Sequence, residues 1–152
     1  MKKYVTRIAT LILIFGLSIG MTVSAHAADS SGGDVSPQAS NYISSYSAWA
    51  NAGSGGAVYI YYDVDATGYV ARVGAKLIVV QTLDAGVWKD VKTITGTVSN
   101  GMLVSNASSH LGGIVYQGTA GNSYRAVVTV YAGPISGGDS RIVTTNSVTA
   151  KS

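Results

Sequence analysis

The chain contains neither cysteine nor glutamate, and each absence excludes a class of structure or chemistry. Without cysteine there can be no disulfide, no thiol nucleophile, no cysteine-ligated zinc and no lipid-anchored cysteine. The absence of glutamate bears on the motif Asp63-x-Asp65-x-Thr67-Gly68, which resembles the start of an EF-hand calcium loop. Such a loop needs a bidentate glutamate at its twelfth position, which here is Gly74. We therefore predict no metal and no cofactor.

The first 27 residues read as a secretory signal peptide. Lys2, Lys3 and Arg7 precede an uncharged apolar run at residues 8–21, and Ala25-His26-Ala27 is a small-x-small cleavage signal. The alternative is an uncleaved anchor, but a run of 14 residues is shorter than the roughly 20 that span a bilayer. We expect cleavage after Ala27 and release of a secreted, extracellular product.

Removal of residues 1–27 leaves 125 residues and takes away three of the ten lysines and arginines, so seven cations balance seven aspartates. A formal charge of zero offers no basic face for phosphate, so no nucleic-acid partner is expected. A domain of this length can bury about two-thirds of its unfolded surface, which is enough for one core without disulfides.

Hydrophobic alternation of period two, with no helical periodicity, continues to the C-terminus. We interpret residues 28–41 as a flexible lead-in and residues 42–152 as one all-β domain. Turn signals rich in glycine and asparagine separate the strands. The predicted strands cover residues 42–50, 57–66, 75–82, 87–95, 109–117, 121–132 and 140–149.

The sixth predicted strand resembles the tyrosine corner of Greek-key sandwiches. Gly121 opens it, Tyr124 follows, and Ala126 occupies the position that is a cysteine in antibody domains. About seven antiparallel strands with this pattern favour an immunoglobulin or fibronectin-III-like β-sandwich. A small closed β-barrel is the alternative.

Several motifs of the chain resemble an uncharacterised family of small secreted proteins from Gram-positive, clostridia-like bacteria, known as a domain of unknown function. The resemblance covers about residues 37–145 and implies export and a β-rich fold, with no catalytic residue to carry over. The motifs are SPQASNYISSY, VDATG, VGAK, GVWKDVKT, VYQGTAGNSYRAVV and GGDSR.

No catalytic set is evident. Ser140, within Gly-Gly-Asp-Ser, resembles the surroundings of a serine nucleophile, and His110 is the only histidine after the signal peptide that could serve as its base. Arg141, however, stands where a small residue would allow an oxyanion hole. The aspartate pairs Asp63/Asp65 and Asp84/Asp90 have no spacing that favours glycoside hydrolysis. We predict that the protein is not an enzyme.

Aromatic residues are the strongest functional signal. Tyr59 and Tyr61 share the predicted outward face of the second strand, and Trp49 and Tyr46 lie on the strand before it. Such rings can stack on sugars or anchor a protein partner. The alternative is that they only stabilise the sheet through cross-strand pairing. We expect a secreted binding module whose ligand is an extracellular protein or glycan.

Residues 93–124 contain no charged side chain. Such a stretch fits a covering loop plus a strand, or a hairpin that inserts into a membrane. A bacteriocin-like or pore-forming toxin is therefore the alternative function, although the alternation here is poor for a membrane-spanning strand. A hydrolase with an unrecognised site is a third hypothesis.

Overall fold

The computed structural model of the protein describes residues 40–152, so the predicted signal peptide and most of the lead-in lie outside the described residues. Within this range one 3-10 turn, Ser54–Gly56, is the only helical segment, and no helix could cross a membrane. The strands are β1 (Ile43–Ala52), β2 (Ala57–Val70), β3 (Arg72–Asp84), β4 (Val87–Thr95), β5 (Leu103–Val104), β6 (Ala107–Gln117), β7 (Ser123–Gly133), β8 (Asp139–Thr144) and β9 (Val148–Thr149).

The strands form two antiparallel sheets packed face to face. One sheet has the order β1-β2-β6 and the other the order β4-β3-β7-β8, with β5 paired to β3 and β9 paired to β7. The sheets do not close into a barrel. The predicted all-β sandwich is therefore confirmed, and the barrel alternative is wrong.

The core lies between the two sheets, where the alternating positions of β2 and β7 meet. On β2 the inward side chains include Ile60 and Tyr62, and on β7 they include Val128 and Val130, all fully buried. The alternation of period two explains this arrangement, because every second side chain of a strand points to the same face.

Two predicted boundaries are wrong. The second strand was predicted to end at residue 66, but β2 continues to Val70, where it still pairs with β6 after a register shift. The last predicted strand, 140–149, is broken into β8 and β9. The break is stabilised by Thr145, whose buried hydroxyl accepts a hydrogen bond from the Ala126 amide at 2.9 Å.

Tyr124 is buried at the start of β7, and its hydroxyl accepts a hydrogen bond from the Thr119 amide at 2.8 Å. The ring lies against Gly118, where a Cβ would come within 2.7 Å of it. Burial raises the pKa of this phenol, but hydrogen bonds, chiefly from Thr119, outweigh burial and lower the pKa below its ordinary value. The bond back to a residue five positions upstream ties the loop to the strand.

The Tyr124→Phe variant should lower the free energy of unfolding by about 1 kcal/mol, because it removes one hydrogen bond and leaves the Thr119 amide without its partner. Urea denaturation measures this loss. The control is Tyr116→Phe, since the Tyr116 ring packs against Tyr124 at 5.5 Å but its hydroxyl forms no hydrogen bond with residues 40–152. Equal urea midpoints for both variants would contradict the role given to the Tyr124 hydroxyl.

Candidate functional site

Three aromatic side chains lie together on the outer side of the β1-β2-β6 sheet, and we call Trp49, Tyr59 and Tyr61 the aromatic face. Trp49 of β1 is directly opposite Tyr61 of β2, and their rings stack with centroids 5.5 Å apart and planes 22° apart. Tyr59 and Tyr61 follow each other on β2 with centroids 6.5 Å apart and planes 12° apart. The structure thus places all three predicted binding residues in one stacked row.

Two glycines allow these rings to lie close to the backbone. A Cβ at Gly113, the β6 residue opposite Tyr61, would be 2.9 Å from a carbon of the Tyr61 ring. A Cβ at Gly53 would be 2.5 Å from a carbon of the Tyr59 ring. An aromatic ring that covers a strand glycine is a known means of stabilising a sheet, so the rings are held in place before any ligand binds.

A groove of about 490 Å³ runs beside the rings. Its other wall is the β6 segment from Leu111 to Val115, and both of these end residues are well exposed. Ligand sites are mostly apolar concavities with a few polar groups that fix orientation. An exposed concavity with three aromatic rings on a rigid sheet meets the apolar part of that description.

The polar part is the row of side chains next to the rings. Ser47 of β1 is opposite Asp63 of β2, on the same outer face. Ser45 donates a hydrogen bond to the Asp65 carboxylate at 2.7 Å. The Asp63 carboxylate forms no hydrogen bond within residues 40–152, so it is available as an acceptor.

Charge on this sheet is of one sign. The segments that form β1, β2 and β6 contain no lysine or arginine, and Asp63 and Asp65 are their only charged residues. A sheet without cations does not attract a phosphate, sulfate or carboxylate group. The arrangement suits a ligand with apolar ring faces and hydroxyl donors.

Tyr46, the other aromatic residue considered on the first strand, does not belong to the aromatic face. Tyr46 is buried in the core, on the inner side of β1. The two residues are three positions apart, and an odd separation on a strand places side chains on opposite faces.

The groups considered for catalysis do not come together. The His110 ring donates from Nε2 to the Gly101 carbonyl at 2.8 Å and lies 3.3 Å from the Tyr62 hydroxyl. Ser140 begins β8 in the other sheet, opposite Tyr131. His110 therefore joins the loop before β5 to the core, next to Tyr62, whose pKa burial raises to about 12.

The remaining aspartates have structural partners. Asp84 forms an ion pair with Lys89, which lowers the pKa of that carboxyl. Asp139 accepts hydrogen bonds from the Ser40 hydroxyl and from the Tyr42 amide, at 2.9 Å for the amide. These bonds join the end of the lead-in to the start of β8. No three potential metal ligands cluster anywhere in the described part of the chain.

The contribution of β6 to the groove was not predicted from the sequence. Gly112 and Gly113 lie side by side within an otherwise regular strand pattern, and a glycine pair inside a strand signals a close approach by another group. No local pattern identifies the approaching group as Tyr61, because β2 and β6 are separated in the chain by three strands of the other sheet.

Comparison with known proteins found no matching family model, no similar curated protein and no similar solved structure. The resemblance to the secreted Gram-positive family therefore stays an expectation.

Proposed function

We propose that the protein is a secreted, non-enzymatic binding module with an immunoglobulin-like fold, and that its aromatic face binds an uncharged extracellular glycan. The observation that carries the proposal is the stacked row of Trp49, Tyr61 and Tyr59 beside an exposed groove. The predicted signal peptide supports an extracellular location.

The order of the strands supports the immunoglobulin-like class. Apart from the two short strands, the first, second and fifth strands in the chain form one sheet and the other four form the second. This matches the A-B-E and C′-C-F-G sheets of a fibronectin-III-type sandwich, in which β7 takes the place of strand F. The buried Tyr124 at the start of β7 occupies the place of the tyrosine corner.

A glycan fits the aromatic face better than other ligands. Sugar rings present flat C–H faces that pack on aromatic rings, and their hydroxyl groups donate hydrogen bonds to acceptors such as Asp63. The lack of lysine and arginine on β1, β2 and β6 argues against uronate, sulfate and phosphate polymers. A protein partner would also bury aromatic anchors, and the experiment below separates the two.

Affinity electrophoresis of the secreted protein in gels that contain soluble polysaccharides tests the proposal. At least one of two neutral polymers, a mixed-linkage β-glucan and glycol chitin, is expected to slow the migration of the protein. Polygalacturonate and heparin should not slow it. If whole cells capture the protein and no neutral polysaccharide competes for it, the aromatic face is assigned to a protein partner. That result would contradict the proposal of a glycan ligand.

The second candidate is a toxin that acts on a neighbouring cell envelope. It is favoured by one observation, that the charge-free stretch 93–124 supplies β6, an edge strand of 11 residues. That length lies within the about 9–11 residues that a tilted membrane-spanning strand requires. Release of dye from liposomes of anionic and neutral lipids tests it, and intact liposomes at micromolar protein would remove this candidate.

A further inference from the structure

Each sheet of a sandwich has two edge strands, and in this protein three of the four edges are protected. β4 carries Lys89, Asp90 and Lys92 and has a register shift where it pairs with β3. β8 is only six residues long and carries Asp139 and Arg141. Charge, short length and irregularity are the usual ways in which edges avoid pairing with another strand.

The β1 edge is partly covered by hydrogen bonds from Asn146, just after β8, and from Asp139, the first residue of β8. The Asn146 side chain accepts from the Ala50 amide at 2.9 Å and donates to the Ala50 carbonyl at 3.0 Å. Asp139 accepts from the Tyr42 amide just before β1 at 2.9 Å. These bonds occupy both backbone groups of Ala50 and hold the chain just before β1.

The β6 edge has neither charge nor covering hydrogen bonds, and its pairing with β2 is regular from Ser109 to Gln117. Its 11 residues contain no charge and no proline. Its only strand partner is β2, and no other residue within 40–152 hydrogen-bonds to the backbone of residues 107–117. A long, uncharged edge with free N–H and C=O groups is a template for another strand.

We propose that β6 pairs antiparallel with the β6 strand of a second copy, with Gly113 at the two-fold axis. In this register Leu111 lies opposite the partner's Val115, and Ser109 lies opposite the partner's Gln117. Apolar side chains thus lie opposite apolar ones, and polar side chains lie opposite polar ones. A two-fold interface joins the same surface of both copies, so that surface must be complementary to itself. An edge without charge has nothing to repel its own copy.

This dimer has one continuous sheet of six strands. A two-fold axis in an antiparallel strand pair is perpendicular to the sheet, so both aromatic faces lie on the same side. Two sites on one rigid platform would bind a polymer with an avidity that exceeds the affinity of either site. The pairing itself does not depend on which ligand the aromatic face binds.

Sedimentation velocity of the secreted protein over a range of concentrations tests the dimer. The wild type is expected to form dimers, and Leu111→Lys is expected to be monomeric, because two added lysines would lie beside the joined edges. The control is Ile142→Lys on β8, since Leu111 and Ile142 are both 65% exposed. The control should remain dimeric, and thermal melts should show that both variants fold.

Cross-linking tests the register, and the chain offers a cysteine-free background. The Leu111→Cys, Val115→Cys double variant should form a covalent dimer under oxidising conditions, because each new thiol faces one of the partner's. Leu111→Cys alone should not, since the two copies of that residue would be separated by about 14 Å along the strand, beyond the about 7 Å limit for a disulfide.

Three results would overturn the proposal. The first is a wild type that remains monomeric at all concentrations, whether β6 is left bare or is covered by residues 28–39. The second is a dimer that persists in Leu111→Lys. The third is a cross-link in the single cysteine variant equal to that in the double variant.

Discussion

The Tyr59→Ala, Tyr61→Ala double variant is expected to lose glycan binding and to keep its fold. Both rings lie on the outer face, so their removal leaves no cavity in the core. Exposed cross-strand pairs contribute roughly 0.2–1 kcal/mol each to stability. Binding, in contrast, depends on the two rings as the larger part of the stacking surface. Retardation by polysaccharide should disappear, while the urea midpoint should fall only modestly.

The matched control for that variant is Trp88→Ala. Trp88 is an aromatic residue of the other sheet, where its ring packs under the Arg125 guanidinium at 4.3 Å. Its removal should leave binding unchanged, because it lies on the opposite side of the sandwich. Wild-type binding by a well-folded Tyr59→Ala, Tyr61→Ala variant would end the aromatic-face hypothesis.

Substitution of the neighbouring tyrosine should have the reverse effect. Tyr62 is the largest fully buried side chain within the described residues. Tyr62→Ala should lower the free energy of unfolding by about 3–5 kcal/mol, as other large-to-small changes in cores do. Because a domain has about 5–15 kcal/mol in total, this variant should be partly unfolded at moderate temperature.

Tyr62→Phe separates the volume of the ring from its hydrogen bond. The Tyr62 hydroxyl donates to the Met102 carbonyl at 3.1 Å, so the loss of that bond should cost about 1 kcal/mol. Urea melts of the Phe and Ala variants measure both parts. If the Tyr62→Ala variant were more stable than Tyr61→Ala, the inner and outer faces of β2 would be reversed. The assignment of Tyr59 and Tyr61 to the aromatic face would then be wrong.

The seven longer strands could be predicted, because each depends on local alternation, whereas the two-residue strand β5 was not predicted. The faces of β2 followed from the same pattern, with Tyr59 and Tyr61 outward and Ile60 and Tyr62 inward. The inward position of Tyr46 follows from the same parity, because it is three positions from the outward Trp49.

The remaining features depend on contacts between distant parts of the chain. Tyr61 lies opposite Gly113, 52 positions away, and no local signal gives that register. The break between β8 and β9 likewise depends on the bond between Thr145 and Ala126, and the protection of β1 depends on Asn146. Such long-range pairings determine the shape of the groove and leave β6 at the edge of its sheet.

Tryptophan fluorescence tests the central claim most directly, because the chain has only two tryptophans. In a Trp88→Phe background Trp49 is the single reporter, and it is one of the three rings of the aromatic face. Titration with the neutral oligosaccharide whose polymer slows migration should change the Trp49 emission saturably, and an oligogalacturonate should leave it unchanged. Saturable binding of the neutral sugar by calorimetry, with Trp49 emission unaltered, would contradict the account.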